Sequence, residues 1–355
     1  MKSRNIAILS TTDALGGAEQ VLYKIAKFYS EQDTNTIKII FFKTQTTHYW
    51  HKNLNKNVEI IYIRNKLWKL ISYLKNNKFE IVFSSHLMLN ALLGIFRSLK
   101  VLETKRLIVR ESTTIFGRYS GFKLFQYRLA YWLGYRKLDL VITQTEAMAE
   151  KLLQNMPYLS KRTKVKTIKN PFAYPPEEET RGPVNIAGEF IVSAGRLIPE
   201  KGFSILILAF KKLLNEQPNL KLAILGEGKI RQKLENQIKE LGIGQSVVLH
   251  GHINNVYPYF RRAKLCVISS IKEGFPNVLL QMMSQNQKVV STKCAGAIDK
   301  INGLHLAEIN NVESLYLAIK NCLASDDTGK RQMFDIELEA YSIDAFITKT
   351  AGFID

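Results

Sequence analysis

Short apolar runs that alternate with stretches of helical periodicity are the feature that most constrains the fold of this chain. The run from Asn5 to Leu9 is followed by a glycine turn, and then by apolar residues at helical spacing from Glu19 to Tyr29. A second apolar run, from Ile37 to Phe42, continues the alternation. Because neighbouring parallel strands are joined by crossover helices, this alternation predicts an α/β fold with a parallel sheet covered by helices.

The alternation occurs in two series, which predicts two domains. With 355 residues the chain exceeds one ordinary domain and is long enough for two separate cores. A stretch with three prolines and an acidic run lies between the two series and has no periodicity, which is typical of a linker. We expect a first domain at residues 1–172, a linker at 173–186, a second domain at 187–340, and a terminal helix within 341–355.

The composition excludes several classes of protein. No apolar run approaches the roughly 18 residues that cross a bilayer, and the first apolar run is too short for a signal-peptide core. The three cysteines are far apart and form no Cys-x-x-Cys pair, so they predict neither a disulfide framework nor a zinc site. We expect a cytoplasmic protein in which Cys266 is a small core residue.

The first group of candidate site residues follows the apolar run from Ile191 to Ala194. Arg196 and Lys201 flank a Pro-Glu pair, just before a predicted helix that begins at Phe203. A forked guanidinium and an ammonium at this spacing suit a diphosphate, and a helix N-terminus adds free backbone N–H groups. Taken alone, the pattern is equally compatible with two solvated cations on a turn.

A second group follows the apolar run from Leu265 to Ser269. The turn contains Glu273, Gly274, Phe275, Pro276 and Asn277, and a helix is predicted to begin at Val278 with the proline in its first turn. Backbone N–H groups at this helix start suit phosphate oxygens, and the carboxylate can accept hydrogen bonds from sugar hydroxyls. The alternative is a carboxylate that only complements the helix dipole.

At these motifs the chain resembles the retaining glycosyltransferases of family 4, which are nucleotide-sugar enzymes with two Rossmann-like domains facing each other across a cleft (GT-B). The segment Gly16–Glu19 resembles the N-terminal glycine loop of that family, GRLIPEKG resembles its diphosphate site, and EGFPNVLL resembles the start of its Glu-x7-Glu motif. The resemblance covers nearly the whole chain. It implies that the donor-binding residues are Gly16, Gly17, Arg196, Lys201, Glu273, Phe275, Pro276, Asn277, Val278 and Gln281.

Gln281 departs from the family pattern. The family has a second glutamate eight residues after the first, and that carboxylate holds the ribose hydroxyls; here an amide occupies the position. An amide accepts a hydrogen bond but brings no charge, which predicts weaker or altered donor binding. A non-catalytic subunit that binds a sugar nucleotide or lipid through a degenerate donor site is therefore an alternative.

Polar residues also follow predicted strands in the first domain. His86 comes directly after the strand Ile81–Ser85, where the carboxyl ends of parallel strands face a ligand. The resemblance implies that His86 contacts the transferred sugar and is catalytic together with Glu273, although a lone histidine more often has a structural role. Arg110 and Glu111 end another strand and are candidate contacts for the acceptor, with a solvated surface pair as the alternative.

No resident cofactor or metal is expected. The glycine turn from Thr11 to Gly17 lacks the G-x-G-x-x-G spacing of a dinucleotide site, and it is also compatible with a purely structural turn. The sequence contains no Asp-x-Asp pair for a divalent metal, so we expect cationic side chains and a helix end to stabilise the departing diphosphate.

The formal net charge of +19 is concentrated in the first half of the chain. Residues 1–174 contain 29 Lys and Arg against 11 Asp and Glu, which leaves +18 there and +1 in the remainder. Two predicted amphipathic helices, Lys66–Lys78 and Phe122–Lys137, combine apolar stripes with basic and aromatic residues, as suits an anionic membrane surface. The alternatives are ordinary core-facing stripes and a nucleic-acid partner, for which no reader motif is present.

These observations lead to one prediction of function. We expect a retaining, metal-independent transferase that moves a hexose or N-acetylhexosamine from a nucleoside-diphosphate sugar, with UDP as the expected nucleotide. The expected acceptor is a lipid-linked or membrane-proximal glycan of a surface polysaccharide, and the enzyme is expected at the inner face of the membrane. A basic nucleic-acid-binding protein is the third hypothesis.

Overall fold

The structure is a computed structural model that describes residues 4–14, 16–32, 34–44, 47, 49–55 and 57–354, with side chains throughout except those of residues 52 and 53. The chain forms two compact α/β units. One contains the residues up to Ala173 together with those from Tyr341 onward, and the other runs from Tyr174 to Ala340.

The first unit is built on a seven-stranded sheet. Its strands are β1 (Asn5–Ser10), β2 (Thr36–Phe41), β3 (Val58–Tyr62), β4 (Phe79–Ser85), β5 (Thr104–Arg110), β6 (Leu140–Thr143) and β7 (Lys164–Thr167). They are ordered β3-β2-β1-β4-β5-β6-β7, and every neighbouring pair is parallel. The connecting helices are α1 (Gly17–Ser30), α2 (Tyr49–Asn53), α3 (Leu67–Lys75), α4 (Leu87–Ser98), α5 (Gly121–Gly134) and α6 (Glu146–Asn155).

Both faces of this sheet are covered, which explains why its central strands are continuous apolar runs. On β4, Val82 packs into a core shared with the buried residues of α4, while Ile81 and Phe83 pack on the opposite face with the buried stripe of α1. That stripe consists of Val21, Leu22, Ile25, Ala26 and Tyr29. The apolar residues of the central strands are therefore enclosed between helices on both sides.

The second unit repeats the architecture with six parallel strands. They are β8 (Phe190–Ala194), β9 (Lys221–Leu225), β10 (Val247–Gly251), β11 (Leu265–Ile268), β12 (Val289–Thr292) and β13 (His305–Ala307), in the order β10-β9-β8-β11-β12-β13. The helices are α7 (Glu177–Thr180), α8 (Phe203–Leu213), α9 (Arg231–Glu240), α10 (Tyr257–Arg262), α11 (Asn277–Gln285), α12 (Val312–Ala324) and α13 (Lys330–Glu339). Strand residues such as Ile191 and Val267 pack with Phe203 and Phe210 of α8.

Helix α14 (Ile343–Ile354) returns to the first unit. The return is fixed by a backbone hydrogen bond of 2.6 Å from the Phe172 N–H to the Tyr341 carbonyl oxygen. Phe346 is buried in the core that contains the α1 stripe, and Lys164 donates to the Phe353 carbonyl oxygen. The last helix thus completes one face of the first sheet.

The segment predicted as a linker contacts the second unit. Helix α7 packs against α10, where Asn255 donates to the Glu179 carbonyl oxygen over 2.7 Å. Arg261 also donates to the Thr180 hydroxyl oxygen over 2.7 Å. These side-chain hydrogen bonds hold the segment after Tyr174 against the second unit.

Helix α5 places its apolar stripe on the protein surface. The stripe residues Phe122, Phe125, Leu129, Trp132 and Leu133 are 44–74% exposed. The core-facing positions are instead Ala130, Tyr131 and Gly134, and the Gly134 backbone lies directly against α4. The alternative that this stripe is an ordinary core face is therefore wrong. Among the described residues, no helix combines the length and apolar character needed to span a bilayer.

The three cysteines are buried and unpaired. Cys266 is completely buried in the second unit, which confirms its predicted place in the core. Burial also raises the pKa of the Cys294 thiol to about 12, so this group stays protonated at neutral pH.

Candidate functional site

In each unit the strand order reverses at one point, and the predicted site residues follow the strands on either side of it. The reversal lies between β1 and β4 in the first sheet and between β8 and β11 in the second. Gly16 follows β1 and His86 follows β4, whereas Lys201 follows β8 and Glu273 follows β11. Ligands of doubly wound sheets bind at the carboxyl ends of the strands beside such a reversal.

The structure brings Lys201 and Glu273 into direct contact. The Lys201 ammonium lies 2.5 Å from Glu273 Oε1, and both side chains are 17% exposed. Ser270, which the sequence did not single out, donates its hydroxyl hydrogen to the same oxygen over 2.8 Å. The Glu273 backbone N–H is also held, by the Cys294 carbonyl oxygen at 2.8 Å. The carboxylate is thus fixed at the end of β11.

Close backbone contacts explain how residues 72 positions apart meet. Gly202 has φ = +64°, and a Cβ there would lie 2.0 Å from the Ser269 carbonyl oxygen. The Ser269 hydroxyl donates to the Lys201 carbonyl oxygen, and the Ile271 N–H donates to the Glu200 carbonyl oxygen. The turn that carries Lys201 is consequently attached to the end of β11.

A second close approach lies under the Lys201 side chain. Gly195 has φ = +154°, and a Cβ there would lie 3.3 Å from Lys201 Cε. The neighbouring Gly226 has φ = +146°, and its added Cβ would lie 1.9 Å from the Gly195 carbonyl oxygen. Glycine at these positions therefore lets the ends of β8 and β9 come together beneath the ammonium.

The remaining predicted donor residues of the second unit differ in how firmly they are held. Within the part of the chain that the structure describes, the exposed Arg196 guanidinium has neither a hydrogen bond nor an ion pair. Phe275 is buried, and Pro276 immediately precedes α11, whose first residue is Asn277 rather than the expected Val278. The first N–H groups of this nine-residue helix, including that of Val278, have no partner within the helix itself.

Gln281 lies one turn further along α11. Its side-chain amide donates from Nε2 to the Tyr257 hydroxyl oxygen over 3.3 Å. The amide carbonyl oxygen is the only acceptor of this side chain, and it brings no negative charge to the site.

In the first unit, His86 meets a carboxylate from the glycine loop. His86 Nε2 lies 3.3 Å from Glu19 Oε1, and the Glu19 side chain is almost completely buried. His86 also has φ = +92°, an unusual backbone conformation for a residue with a side chain, and its carbonyl oxygen accepts the Asn90 N–H. Gly16 and Gly17 precede and begin α1. Leu15, within the same predicted loop, lies outside the described residues.

Arg110 and Glu111 are each only 4% exposed, so the alternative of a solvated surface pair is wrong. Arg110 donates to Asn170 Oδ1 from Nε and Nη2, at 3.0 and 2.5 Å. The Glu111 carboxylate accepts hydrogen bonds from the hydroxyls of Tyr131, at 2.8 Å, and Tyr135. The structure therefore places both candidate acceptor residues in a buried polar network at the end of β5.

Burial sets the protonation of this network. Desolvation raises the pKa of the Glu111 carboxyl, and the tyrosine hydrogen bonds and Arg110 partly offset that rise. Desolvation lowers the pKa of Arg110 to about 10, and the charges of Glu111 and Glu19 act in the opposite direction. Arg110 Nη1 is buried and has no hydrogen-bond partner among the described residues.

Comparison with protein families finds one match. Residues 177–336 match the family model described as glycosyl transferases group 1. The matched residues lie in the second unit and include Lys201 and Glu273. Among the described residues, no group of three or more His, Cys, Asp and Glu side chains is arranged to hold a metal ion.

Curated relatives align with parts of the chain. An N-acetylgalactosamine-N,N'-diacetylbacillosaminyl-diphospho-undecaprenol 4-alpha-N-acetylgalactosaminyltransferase of Campylobacter jejuni is 29% identical over 63% of this chain and 62% of its own length. A lipopolysaccharide 1,2-N-acetylglucosaminetransferase of Salmonella typhimurium is 29% identical over 43% of this chain and 44% of its own length. An uncharacterized glycosyltransferase of Methanocaldococcus jannaschii is 32% identical over 47% of this chain and 42% of its own length. The chain thus spans less than two thirds of each of these relatives.

Solved structures extend the similarity in fold to the whole chain. Anabaena HepE in complex with UDP and glucose superposes with a TM-score of 0.79, covering 98% of both chains at 20% identity. Sucrose-phosphate synthase of Thermosynechococcus elongatus gives 0.75 over 98% of both chains at 16% identity. Together with the two parallel sheets, these similarities confirm the predicted fold class, α/β with two Rossmann-like domains.

Proposed function

We propose that this protein is a retaining, metal-independent glycosyltransferase that uses a nucleoside-diphosphate sugar, with UDP as the nucleotide. The observation that carries the proposal is the contact of Lys201 with Glu273 at the strand-order reversal of the second sheet, beside the N-terminus of α11. A cation, a carboxylate and the backbone N–H groups of a helix N-terminus together match a ligand that has both a diphosphate and sugar hydroxyls.

The ammonium and the carboxylate have separable tasks in this proposal. Lys201 has three N–H donors, of which one is directed at Glu273, so the others remain for phosphate oxygens. Arg196 supplies a second, forked cation, and the N–H groups of Asn277 and Val278 add partial positive charge at the helix start. Glu273 then accepts hydrogen bonds from the donor sugar, with Phe275 and Pro276 shaping the approach to the helix.

In the proposed transfer, the bond between the anomeric carbon and the diphosphate oxygen breaks. A bond from an acceptor hydroxyl oxygen to the anomeric carbon forms on the same face of the sugar. The hydroxyl proton leaves with the nucleoside diphosphate, whose growing negative charge is stabilised by Lys201 and Arg196. His86 contacts the transferred sugar. Gly16 and Gly17 belong to the glycine loop and contact the donor.

The names of two relatives support the choice of acceptor. One is a transferase named for an undecaprenol-diphosphate-linked substrate, and another is named for lipopolysaccharide. We therefore propose a hexose or N-acetylhexosamine transfer to a lipid-linked or membrane-proximal glycan in surface-polysaccharide synthesis. Arg110 and Glu111 remain proposed residues of the acceptor side, and both lie within the buried network.

The exposed face of α5 supports a peripheral membrane location. Its five exposed apolar side chains are accompanied by Arg128 and Arg136, and the Arg136 guanidinium lies 4.4 Å from the centre of the Trp132 ring. The helix follows β5 in the chain, and its Tyr131 donates a hydrogen bond to Glu111, which comes directly after β5. We propose that this face enters the headgroup layer of an anionic bilayer and brings the first unit to a lipid-linked acceptor.

Lys201→Ala tests the donor site. We expect release of nucleoside diphosphate from UDP-sugars to fall by about 100-fold or more, because a positioned cation on the leaving group is lost. Lys239→Ala, an exposed lysine on α9, is the matched control and should retain activity. Turnover should survive EDTA. Binding of UDP without any release would favour the non-catalytic subunit, and activity that requires added manganese would contradict metal independence.

Vesicle co-sedimentation tests the α5 face. We expect binding to phosphatidylglycerol vesicles but not to phosphatidylcholine vesicles, and loss of binding in Phe122→Ser/Phe125→Ser. Ile336→Ser, an equally exposed apolar residue of the second unit, should leave binding unchanged. Salt-sensitive binding to duplex DNA with no affinity for anionic vesicles would support the nucleic-acid hypothesis instead.

A further inference from the structure

We propose that Glu19 is the positioning residue for His86, and that the glycine at position 16 is required because it leaves room for the Glu19 carboxylate. The assignment rests on the proposed function, since His86 is the group expected to contact the transferred sugar. The proposal adds Glu19, which lies on α1 and determines where the imidazole ring of His86 lies.

The contact joins two segments that flank the reversal of the first sheet. Glu19 lies in the first turn of α1, after β1, and His86 lies between β4 and α4. Oε1 of the carboxylate is 3.3 Å from Nε2 of the ring. A carboxylate only accepts hydrogen bonds, so a hydrogen bond between the two groups would be donated by Nε2. The ring is carried by a strained backbone, since His86 has φ = +92°.

The second ring nitrogen has no protein partner. His86 Nδ1 is buried and makes no hydrogen bond to any of the described residues. When Nε2 carries the ring hydrogen, Nδ1 is an acceptor. Among the described residues, the Glu19 carboxylate is thus the charged group paired with the ring.

Gly16 lies beside the other carboxylate oxygen of Glu19. A Cβ at position 16 would lie 2.6 Å from Glu19 Oε2, which is too close for a real contact. The backbone at Gly16 has φ = −73°, a value that alanine adopts without strain, so the backbone conformation does not require glycine. An added methyl group must therefore displace the carboxylate and with it the support of His86.

Arg110 is the competing partner of Glu19. Burial lowers the pKa of the Arg110 guanidinium, and the charges of Glu111 and Glu19 partly offset this lowering, so Glu19 and Arg110 interact through space. A role limited to charge compensation of Arg110 requires the negative charge itself. A role in positioning His86 requires only an acceptor oxygen at the same place, which glutamine also provides. This difference separates the two explanations experimentally.

The test is a double-mutant cycle in the full-length enzyme, with kcat and KM measured for one UDP-sugar. We expect Glu19→Ala and His86→Ala each to lower kcat by at least about 10-fold with little change in donor KM. The double variant should be no worse than His86→Ala alone. Glu19→Gln should restore most of the kcat lost in Glu19→Ala. Additive losses, or a Glu19→Gln variant as poor as Glu19→Ala, would overturn the proposal.

Gly16→Ala provides the second arm. It should lower kcat in the wild-type background and have no further effect in the Glu19→Ala background, where the obstructing carboxylate is absent. Gly352→Ala is the control, because a Cβ there meets no atom within 4 Å. An equal loss from Gly16→Ala in both backgrounds would contradict the role assigned to this glycine.

Failure of the proposed function can be distinguished from failure of this inference. If wild-type protein releases no nucleoside diphosphate, the proposed function fails. The same variants are then compared by their melting temperatures. Gly16→Ala should lower the melting temperature in the wild-type background but not in the Glu19→Ala background. Equal shifts in both backgrounds would overturn the steric link without reference to any activity.

Discussion

The two sheets reverse their strand order in the same way, but the charged side chains at their carboxyl edges lie in opposite environments. At the first edge, Arg110 and Glu111 are buried and hydrogen-bonded to neighbouring side chains. At the second edge, Lys201 and Glu273 are partly exposed and Arg196 is exposed. One fold therefore supports a closed polar network in one unit and an open cationic site in the other.

The difference indicates where each unit uses its charges. A buried, hydrogen-bonded pair holds loops in one arrangement, whereas an exposed cation beside a helix N-terminus can exchange solvent for a ligand. Substitutions of Arg110 and Glu111 at the first edge should therefore act mainly on stability. Substitutions of the ligand-facing groups at the second edge should act mainly on donor binding.

Glu111→Ala should give the largest effect on stability. It removes the acceptor of Tyr131 and Tyr135 and leaves Arg110 without its neighbouring charge, so we expect a loss of about 3–5 kcal/mol in the free energy of unfolding. Chemical denaturation measures it. Glu103→Ala, at an exposed ion pair with Lys78 in the same unit, is the control and should change little. A loss as small as that of the control would show that the first edge is not a stabilising network.

Gly226→Ala should have the next largest effect on stability. It tests whether Gly226 at the second edge is more tightly constrained than Gly16 at the first edge. With φ = +146° and a Cβ only 1.9 Å from the Gly195 carbonyl oxygen, we expect a loss of about 2 kcal/mol or more in unfolding free energy. Gly244→Ala, where a Cβ meets open space, should be nearly neutral. Gly16→Ala should be much milder than Gly226→Ala in denaturation experiments, because only a side chain obstructs it.

A buried lysine makes the stability of the first unit depend on pH. Lys24 of α1 donates to the Pro171 carbonyl oxygen, and burial lowers its pKa from 10.5 to about 8. Between these values the unfolded chain binds more protons at this lysine, so Lys24 should contribute a rise in stability with pH of about 1–2 kcal/mol from pH 8 to 9.5. Urea denaturation series of the wild type and of Lys24→Met should differ by this rise. An equal pH dependence of stability in the two proteins would contradict the prediction.

Gln281→Glu should have the smallest effect, at the second edge. A carboxylate in place of the amide offers a charged acceptor to a bound donor, and we expect UDP to bind about 3- to 10-fold more tightly in calorimetric titrations. Gln285→Glu, four residues further along α11, controls for the added charge on the helix. Equal gains in both variants would mean that position 281 has no specific contact with the nucleotide.

Much of the architecture could be predicted because most central strands are buried on both faces. The expected and observed bounds of the strands that begin at Asn5 and Leu265 differ by a single residue. The strands Val58–Tyr62 and Lys164–Thr167 were not predicted, and both lie at the ends of the first sheet. Their side chains are half-buried or exposed, and in Lys164–Thr167 only Val165 is apolar, so the apolar signal of that strand is weak.

The site could be predicted only where its residues are close in sequence. The turns that carry Lys201 and Glu273 were each identifiable, because a cation or carboxylate before a helix start is a local pattern. The contact of Glu19 with His86 joins residues 67 positions apart, and an acidic residue in a first helical turn already has a local explanation in the helix dipole. Ser270, three residues before Glu273, had no distinguishing signal.

Helical periodicity also left open which face of α5 is buried. The spacing of its apolar residues predicts a stripe, and a stripe usually faces a core. Here the contact with α4 is made through Gly134, whose backbone leaves no space for a side chain on that face. The small residue therefore selects the buried face, and the larger apolar residues remain outside.

The position of α14 in the chain has a consequence for biosynthesis. This helix covers a face of the first unit but comes after all of the second unit in the polypeptide. During translation, that face of the first unit stays uncovered until the second unit, roughly half of the sequence, has been synthesised. Chaperones or proteases can act on the uncovered face in this interval. A premature stop codon within the second unit would consequently damage both halves of the product.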